Sequence, residues 1–182
     1  MRYIAWILIA DFLTGLFHWA EDTYSTNNWK EPLLSQVVLP NINHHKQPST
    51  IAAMGNVFTR NYVSVFLFLC VFFVLFLIGF ESLDLFCIGL LASFGNEVHV
   101  WNHRKANQNN RLIQFLQDAC LVQTRAQHNK HHVTPYDRYY CTLTNVMNAI
   151  LESIHFWRIV ERLLFVLFGL SPARGTQKRD GY

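Results

Sequence analysis

Nine histidines stand among 182 residues, and eight fall into clusters whose spacing suits metal ligation. His99 and His103 are four residues apart, so on a helix both imidazoles project from one side. His128, His131 and His132 offer the i, i+3 and i+4 positions of one face, and His18 with Asp22 repeats i, i+4 with a carboxylate. His44 and His45 are adjacent. Eight imidazoles and one carboxylate exceed the four ligands of a tetrahedral zinc site. They suit two metal ions of higher coordination. Imidazole and carboxylate without thiolate accommodate iron, and ligand type alone leaves zinc and manganese open. A single HxxxH or HH is as easily a polar helix face as a site, so the argument rests on their clustering. Glu97, two residues before His99, is a candidate for fixing an imidazole tautomer from the outer shell, with Asn102 a second. Both read equally well as polar groups where a helix leaves the membrane.

The rest of the composition says what must position these residues. Apolar residues make up 51% of the chain and charged residues 15%, against roughly 25% charged in an ordinary soluble domain. That balance excludes a disordered chain. Mean hydropathy is only +0.12, too low for membrane helix throughout. The sequence therefore reads as a membrane-embedded protein with a polar, histidine-rich remainder. A net charge of +3 with no continuous basic stripe gives nucleic-acid binding no support. Cys70, Cys87, Cys120 and Cys141 show no CxxC spacing and read as free thiols.

Residues 62–80, YVSVFLFLCVFFVLFLIGF, carry no charge. At about 1.5 Å per residue these span roughly 28 Å, close to the hydrocarbon thickness of a bilayer. A short acidic connection leads into a second span over 84–103, giving an antiparallel hairpin. Residues 3–20 form a third apolar segment. A signal peptide is the competing reading, but Asp11 interrupts it and no small-residue cleavage pattern follows. Residues 23–61 are polar and irregular, with Pro32, Pro40 and Pro48. Residues 104–140 are polar, with helix expected over 112–124. Residues 141–170 read either as a further crossing or as an amphipathic interfacial helix, since Glu152, Arg158, Glu161 and Arg162 interrupt them. Residues 1–170 are expected to form one membrane-embedded domain, and 171–182 a flexible tail. The expected fold is all-α, with three or four transmembrane helices and a cytoplasmic, histidine-rich helical cap.

Three crossings put the ends of the first and third spans on the same membrane face, together with the loop that carries His44 and His45. Arg104, Lys105, Arg111, Arg125, Lys130 and Arg138 lie beyond the third span, while the hairpin tip at 81–84 has no Lys or Arg. The positive-inside rule assigns the histidine face to the cytoplasm, with Arg2 a single opposing charge. Asp11 is expected to make a helix-packing hydrogen bond. Trp19, Trp101 and Trp157 are expected as interfacial anchors.

The segments DFLTGLFHWAEDT (11–23), HHKQP (44–48), HVWNH (99–103) and QHNKHHVTPYDRYYC (127–141) resemble the lipid desaturase family. Its members include the plasmanylethanolamine desaturases (the Kua proteins), a bacterial light-response protein that makes plasmalogens, and a plastid phosphatidylglycerol desaturase. NAILESIHFWRIVER (148–162) extends the resemblance, which covers about residues 10–162. It implies a membrane desaturase with a histidine-ligated di-iron centre, taking O2 and two electrons from an external donor such as cytochrome b5 or ferredoxin. By position, the metal ligands it implies are His18, Asp22, His44, His45, His99, His103, His128, His131 and His132. The chain departs from the ether-lipid enzymes at Asn43, at Ala53-Met54-Gly55-Asn56, and in the run KANQNNR after the third span. Those positions bear on the substrate and leave the ligand pattern intact.

The resulting expectation is a lipid desaturase acting on an alkyl or acyl chain of a membrane phospholipid, similar to a plasmanylethanolamine desaturase. The alternatives are a fatty-acid hydroxylase, an acyl-lipid desaturase and, from another class, a metal-binding or metal-transport protein. The basic segment after the third span would suit an anionic head group or an acidic electron donor, though topology alone also explains it.

Overall fold

The computed structural model describes residues 1–25, 43–53, 55–80 and 82–173. Residues 26–42 of the expected loop over 23–61 (Pro32 and Pro40 included), Met54, Glu81 and residues 174–182 of the expected tail lie outside these. The described residues are helical, without strands. Three spans are long and apolar enough to cross a membrane: Arg2–Tyr24, Val57–Leu77 and Leu83–His103.

The first span is helix α1 (Arg2–Tyr24). A five-residue helix α2 (Ser49–Ala53) precedes α3 (Val57–Leu77). α3 starts five residues before the apolar run because a capping box opens it. Asn56 Oδ1 accepts from Thr59 N at 3.1 Å, and Thr59 Oγ1 accepts from Asn56 N at 2.8 Å. The third span consists of α4 (Leu83–Ser93) and α5 (Gly95–His103), separated by a tight turn at Phe94. Beyond it lie α6 (Arg111–Asp118), α7 (Arg125–Asn129), α8 (Val146–Ser153) and α9 (Phe156–Phe168). α6 covers only the first part of the helix expected over 112–124. The chain turns away after it, and Cys120 takes a φ of +56°.

Two ion pairs fix the relative directions of the spans. Arg2 Nε lies 2.6 Å from Asp84 Oδ1, so α1 and α4 begin at the same end and run parallel. Arg60, in the first turns of α3, lies 2.6 Å from Glu97 on α5, so α3 runs the other way. The C-terminal ends of α1 and α5 and the start of α3 therefore share one end of the bundle. α3 and α4 meet through Phe68, Phe72 and Phe86. Gly89 makes room there, since a Cβ at that position would sit 2.3 Å from the Phe68 ring. The remaining circumference of α3, including Phe66, Leu69 and Phe73, is exposed. In a bilayer that surface meets hydrocarbon.

The packed core sits at the histidine end, where Trp19, Tyr140, Cys141, Leu151 and Trp157 cluster. This corrects the expectation of interfacial anchors at Trp19 and Trp157. The two indoles stack at 5.6 Å between centroids and are only 5% and 2% exposed. Trp19 can sit inside because its N–H is satisfied by Glu161 Oε1 at 3.0 Å, without water. Trp101 is partly exposed and donates to Glu97 Oε1 at 3.2 Å. Asp11 does make a packing contact: its carboxylate accepts from the backbone N–H groups of Leu143 at 2.8 Å and Thr144 at 3.1 Å. α9 has 13 residues, about 20 Å, against the roughly 30 Å needed to cross. It buries Trp157 and Glu161 on one side and exposes Ile159, Leu163 and Val166 on the other, the pattern of an interfacial helix.

Candidate metal centre

Each histidine cluster reaches the site from a different element. His18 and Asp22 lie in the last two turns of α1, and His44 and His45 in a helical turn at 43–46. His99 and His103 lie on α5. His128 lies on α7, which Thr124 caps by accepting from Gln127 N at 3.2 Å. α7 ends at Asn129, so His131 and His132 project from the following turns rather than from a continued helix face.

The side chains gather into two groups, each with its potential ligand atoms within 4.8 Å of one another. One holds His44, His99, His103, His128 and His132; the other holds His18, Asp22, His45 and His131. Both pairs of adjacent histidines are split between the groups. His155, the ninth, lies at the αL turn before α9 and in neither group.

In the group of five, the Nε2 atoms of His99 and His103 are 3.0 Å apart. Those of His103 and His128 are 2.8 Å apart, and those of His128 and His132 3.0 Å. A neutral imidazole has one N–H, and a nitrogen that donates in the ring plane cannot also accept. Four nitrogens in a row can therefore form only two such bonds, and one of the three contacts is left without a shared proton. A cation at the centre relieves that conflict. Burial, and then the neighbouring imidazoles, hold His44 and His128 well below the ordinary imidazole pKa and bring His132 down to about 2. These rings are thus neutral, the form that ligates metal.

In the group of four, the outer nitrogens are tied to main-chain carbonyls. His18 Nδ1 donates to Tyr140 O at 3.0 Å, and His131 Nδ1 donates to Arg138 O at 2.8 Å. A carbonyl only accepts, so in the neutral rings the proton is on Nδ1 and Nε2 is bare. Those bare nitrogens face Asp22 Oδ2 at 3.3 Å and 3.1 Å, while His45 Nε2 lies 3.1 Å from Oδ1. Lone pairs aimed at a buried carboxylate need a proton or a metal ion between them. The donor set, three imidazoles and one carboxylate without thiolate, fits iron, zinc or manganese.

The two outer-shell candidates behave differently from the expectation. Glu97 directs its carboxylate to Arg60, Asn61 and Trp101, and none of its hydrogen bonds reaches an imidazole. An arginine 37 residues away outcompetes a neutral ring for a buried carboxylate. Asn102 instead accepts from Gln117 Nε2 and donates to Gln123 Oε1, each at 2.9 Å, tying α5 to the 117–123 segment. The groups that do orient imidazoles, the carbonyls of Arg138 and Tyr140, are main-chain atoms and have no signature in the sequence. Tyr136, whose ring lies 4.6 Å from that of His45, was also without a signal, because its place depends on a positive φ in the loop.

Fold and site together define a helical membrane protein with eight histidines and an aspartate gathered at one end of its spans. The chain belongs to the lipid desaturase domain family, whose model matches residues 7–175. It is 29% identical to mouse plasmanylethanolamine desaturase 1, over 96% of this chain and 68% of that protein. It is 30% identical to the plasmanylethanolamine desaturase of Myxococcus xanthus, over 91% of this chain and 60% of that one. It is 28% identical to the chloroplastic fatty acid desaturase 4-like 2 of Arabidopsis thaliana, over 93% of this chain and 61% of that one. Desaturases are oxidoreductases, and the family is one of enzymes. No solved structure matches the chain.

Proposed function

We propose that the chain is a di-iron, O2-dependent lipid desaturase, similar to the plasmanylethanolamine desaturases, that introduces a double bond into an alkyl or acyl chain of a membrane phospholipid. The observation that carries this reading is the pair of adjoining ligand groups, each with its potential ligand atoms turned toward one another. His44, His99, His103, His128 and His132 would hold one iron, and His18, Asp22, His45 and His131 the other. Bound there, the two ions would supply activation of dioxygen, with two electrons from an external donor of the cytochrome b5 or ferredoxin type.

The chain's own residues account for the rest. The carbonyls of Tyr140 and Arg138 lock His18 and His131 in the tautomer that leaves Nε2 free. Asp22 supplies negative charge to the second group, and the burial of His44, His128 and His131 keeps water from the centre. The site lies at one end of three spans, where an aliphatic chain entering from the bilayer can reach it. By the positive-inside rule this is the cytoplasmic face. A metal conduit would need imidazoles spread through the membrane depth, and their confinement to one end favours the enzyme.

Lipidomics in a plasmalogen-deficient host tests the reading. Wild type is expected to yield lipids two hydrogens lighter, vinyl-ether lipids among them, and His128→Ala none. No new double bond in any lipid class, with iron loaded and donor present, would overturn it. A gain of one oxygen instead would make the protein a hydroxylase.

A further inference from the structure

We propose that Tyr140, Trp157 and Trp19 form a relay for single electrons between the group of four ligands and the carboxylate of Glu161. The proposal rests on the desaturase reading above. The Tyr140 ring lies 5.1 Å from His131 and 5.9 Å from His18. Trp157 meets Tyr140 edge-on at 5.1 Å and stacks on Trp19 at 5.6 Å. All three are buried, so one continuous path of oxidisable rings leads from the ligands through the core. The branch through Phe156 and Phe12 also touches Trp157, but phenyl rings hold their electrons too tightly to extend the path.

The polar groups along the path give it a direction. Trp157 Nε1 has no hydrogen-bond partner among the described residues, so none of them takes its proton if the ring loses an electron. Trp19 Nε1 donates to Glu161 Oε1 at 3.0 Å. An oxidised indole is a far stronger acid than the neutral ring, and an adjacent carboxylate accepts its proton and stabilises the neutral radical. Oxidation therefore comes to rest on Trp19 rather than Trp157. Glu161 Oε2 is 2.9 Å from Arg158, whose side chain is 42% exposed, which connects the end of the path to solvent. Packing alone does not call for this arrangement. A carboxylate on the buried side of an amphipathic helix costs solvation that an apolar residue would avoid.

Electron counting gives the relay a role. Reduction of dioxygen to two waters takes four electrons and four protons. The external donor provides two electrons, and the two hydrogens removed from the lipid chain provide the other two. With no chain in the site, two oxidising equivalents are left beside the histidines, and solvent supplies the protons for water. Trp19 then supplies one electron through Trp157 and Tyr140, and its Nε1 proton passes to Glu161. A soluble one-electron reductant such as ascorbate restores the indole, with return of the proton, and a second passage completes the reduction.

The test uses the iron-loaded full chain in phospholipid-free micelles, supplied with donor and O2. Freeze-quenched wild type is expected to show a neutral indolyl radical by electron paramagnetic resonance. Peptide mass spectrometry should find oxygen adducts concentrated at Trp19. Trp19→Phe should lose that radical and move the adducts to Trp157, Tyr140 and the histidines. Glu161→Gln leaves a carbonyl to accept the N–H and so preserves packing; it should replace the neutral radical by a shorter-lived cation. If Trp19→Phe fails to hold iron, Glu161→Gln decides alone. Identical radical and adduct patterns in wild type and variant, with lipid still desaturated when supplied, would overturn the relay only. No O2 uptake and no product under any condition would overturn both the relay and the desaturase reading.

Discussion

His131 and His132 are neighbours in the chain but face different groups. His131 Nε2 lies 3.1 Å from Asp22 Oδ2, and His132 Nε2 lies 3.0 Å from His128 Nε2. His44 and His45 divide in the same way. Two short stretches of backbone therefore fix the spacing of the two groups, and the loss of either member of a pair should have its own signature.

His132→Ala leaves four imidazoles in its group, whereas His131→Ala leaves two imidazoles and Asp22 in the other. Under the proposed function, iron analysis should show His131→Ala losing close to one iron per chain and His132→Ala losing less. Desaturation should fall by about 100-fold or more in His131→Ala, since loss of even an outer-shell partner costs about 10–100-fold.

The Arg60–Glu97 pair is buried, with side chains 5% and 9% exposed. Glu97→Gln removes the carboxylate charge from beside this buried guanidinium and should destabilise the protein by about 3 kcal/mol. Arg60→Met with Glu97→Gln should recover part of that loss. Thermal unfolding of both variants in the same detergent measures the difference.

Two glycine substitutions should separate sharply. A Cβ on Gly15 would sit 2.5 Å from Cys141 Sγ and 3.1 Å from Cys141 N, against backbone that carries the Tyr140 carbonyl. Gly15→Ala should cost about 1–3 kcal/mol through overpacking and reduce iron occupancy with it. Gly89→Ala meets only the Phe68 ring, which borders the lipid-facing side of α3 and can turn aside. Its iron occupancy should match wild type.

Acid should unfold the metal-free protein through its buried imidazoles. His44, His128 and His132 have folded-state pKa values below the ordinary 6.5. Above about pH 6.5 they are neutral in both folded and unfolded chains and contribute no pH dependence. Below it the unfolded chain takes up protons that the folded one refuses, so stability falls as pH falls. Each of the three contributes up to about 1.4 kcal/mol per pH unit. Unfolding midpoints of metal-free protein from pH 7.5 down to about 5 should decline with that slope, and His132→Gln should make the slope shallower.

The features legible in the sequence are those governed by local periodicity. The three spans follow from apolar runs, and the side-by-side placement of His99 with His103 and of His18 with Asp22 follows from helical spacing. What could not be read depended on distant partners. Trp19 looks like an interfacial anchor until Glu161, 142 residues away, is seen to satisfy its N–H. Glu97 looks like a histidine partner until Arg60 takes its carboxylate. The sorting of His44 from His45, and of His131 from His132, depends on how turns sit between helices, which residue spacing does not encode.

The turn at Phe94 has a mechanical meaning. There the backbone bonds are i to i−3: Phe94 N donates to Leu91 O at 3.2 Å and Glu97 N to Phe94 O at 3.0 Å. A continuous 21-residue rod would transmit every change of tilt from its hydrocarbon-immersed portion to His99 and His103. With a joint at Phe94, and with Glu97 fastened to Arg60 just beyond it, the lower segment can lean as bilayer thickness changes while the ligand-bearing segment keeps its bearing.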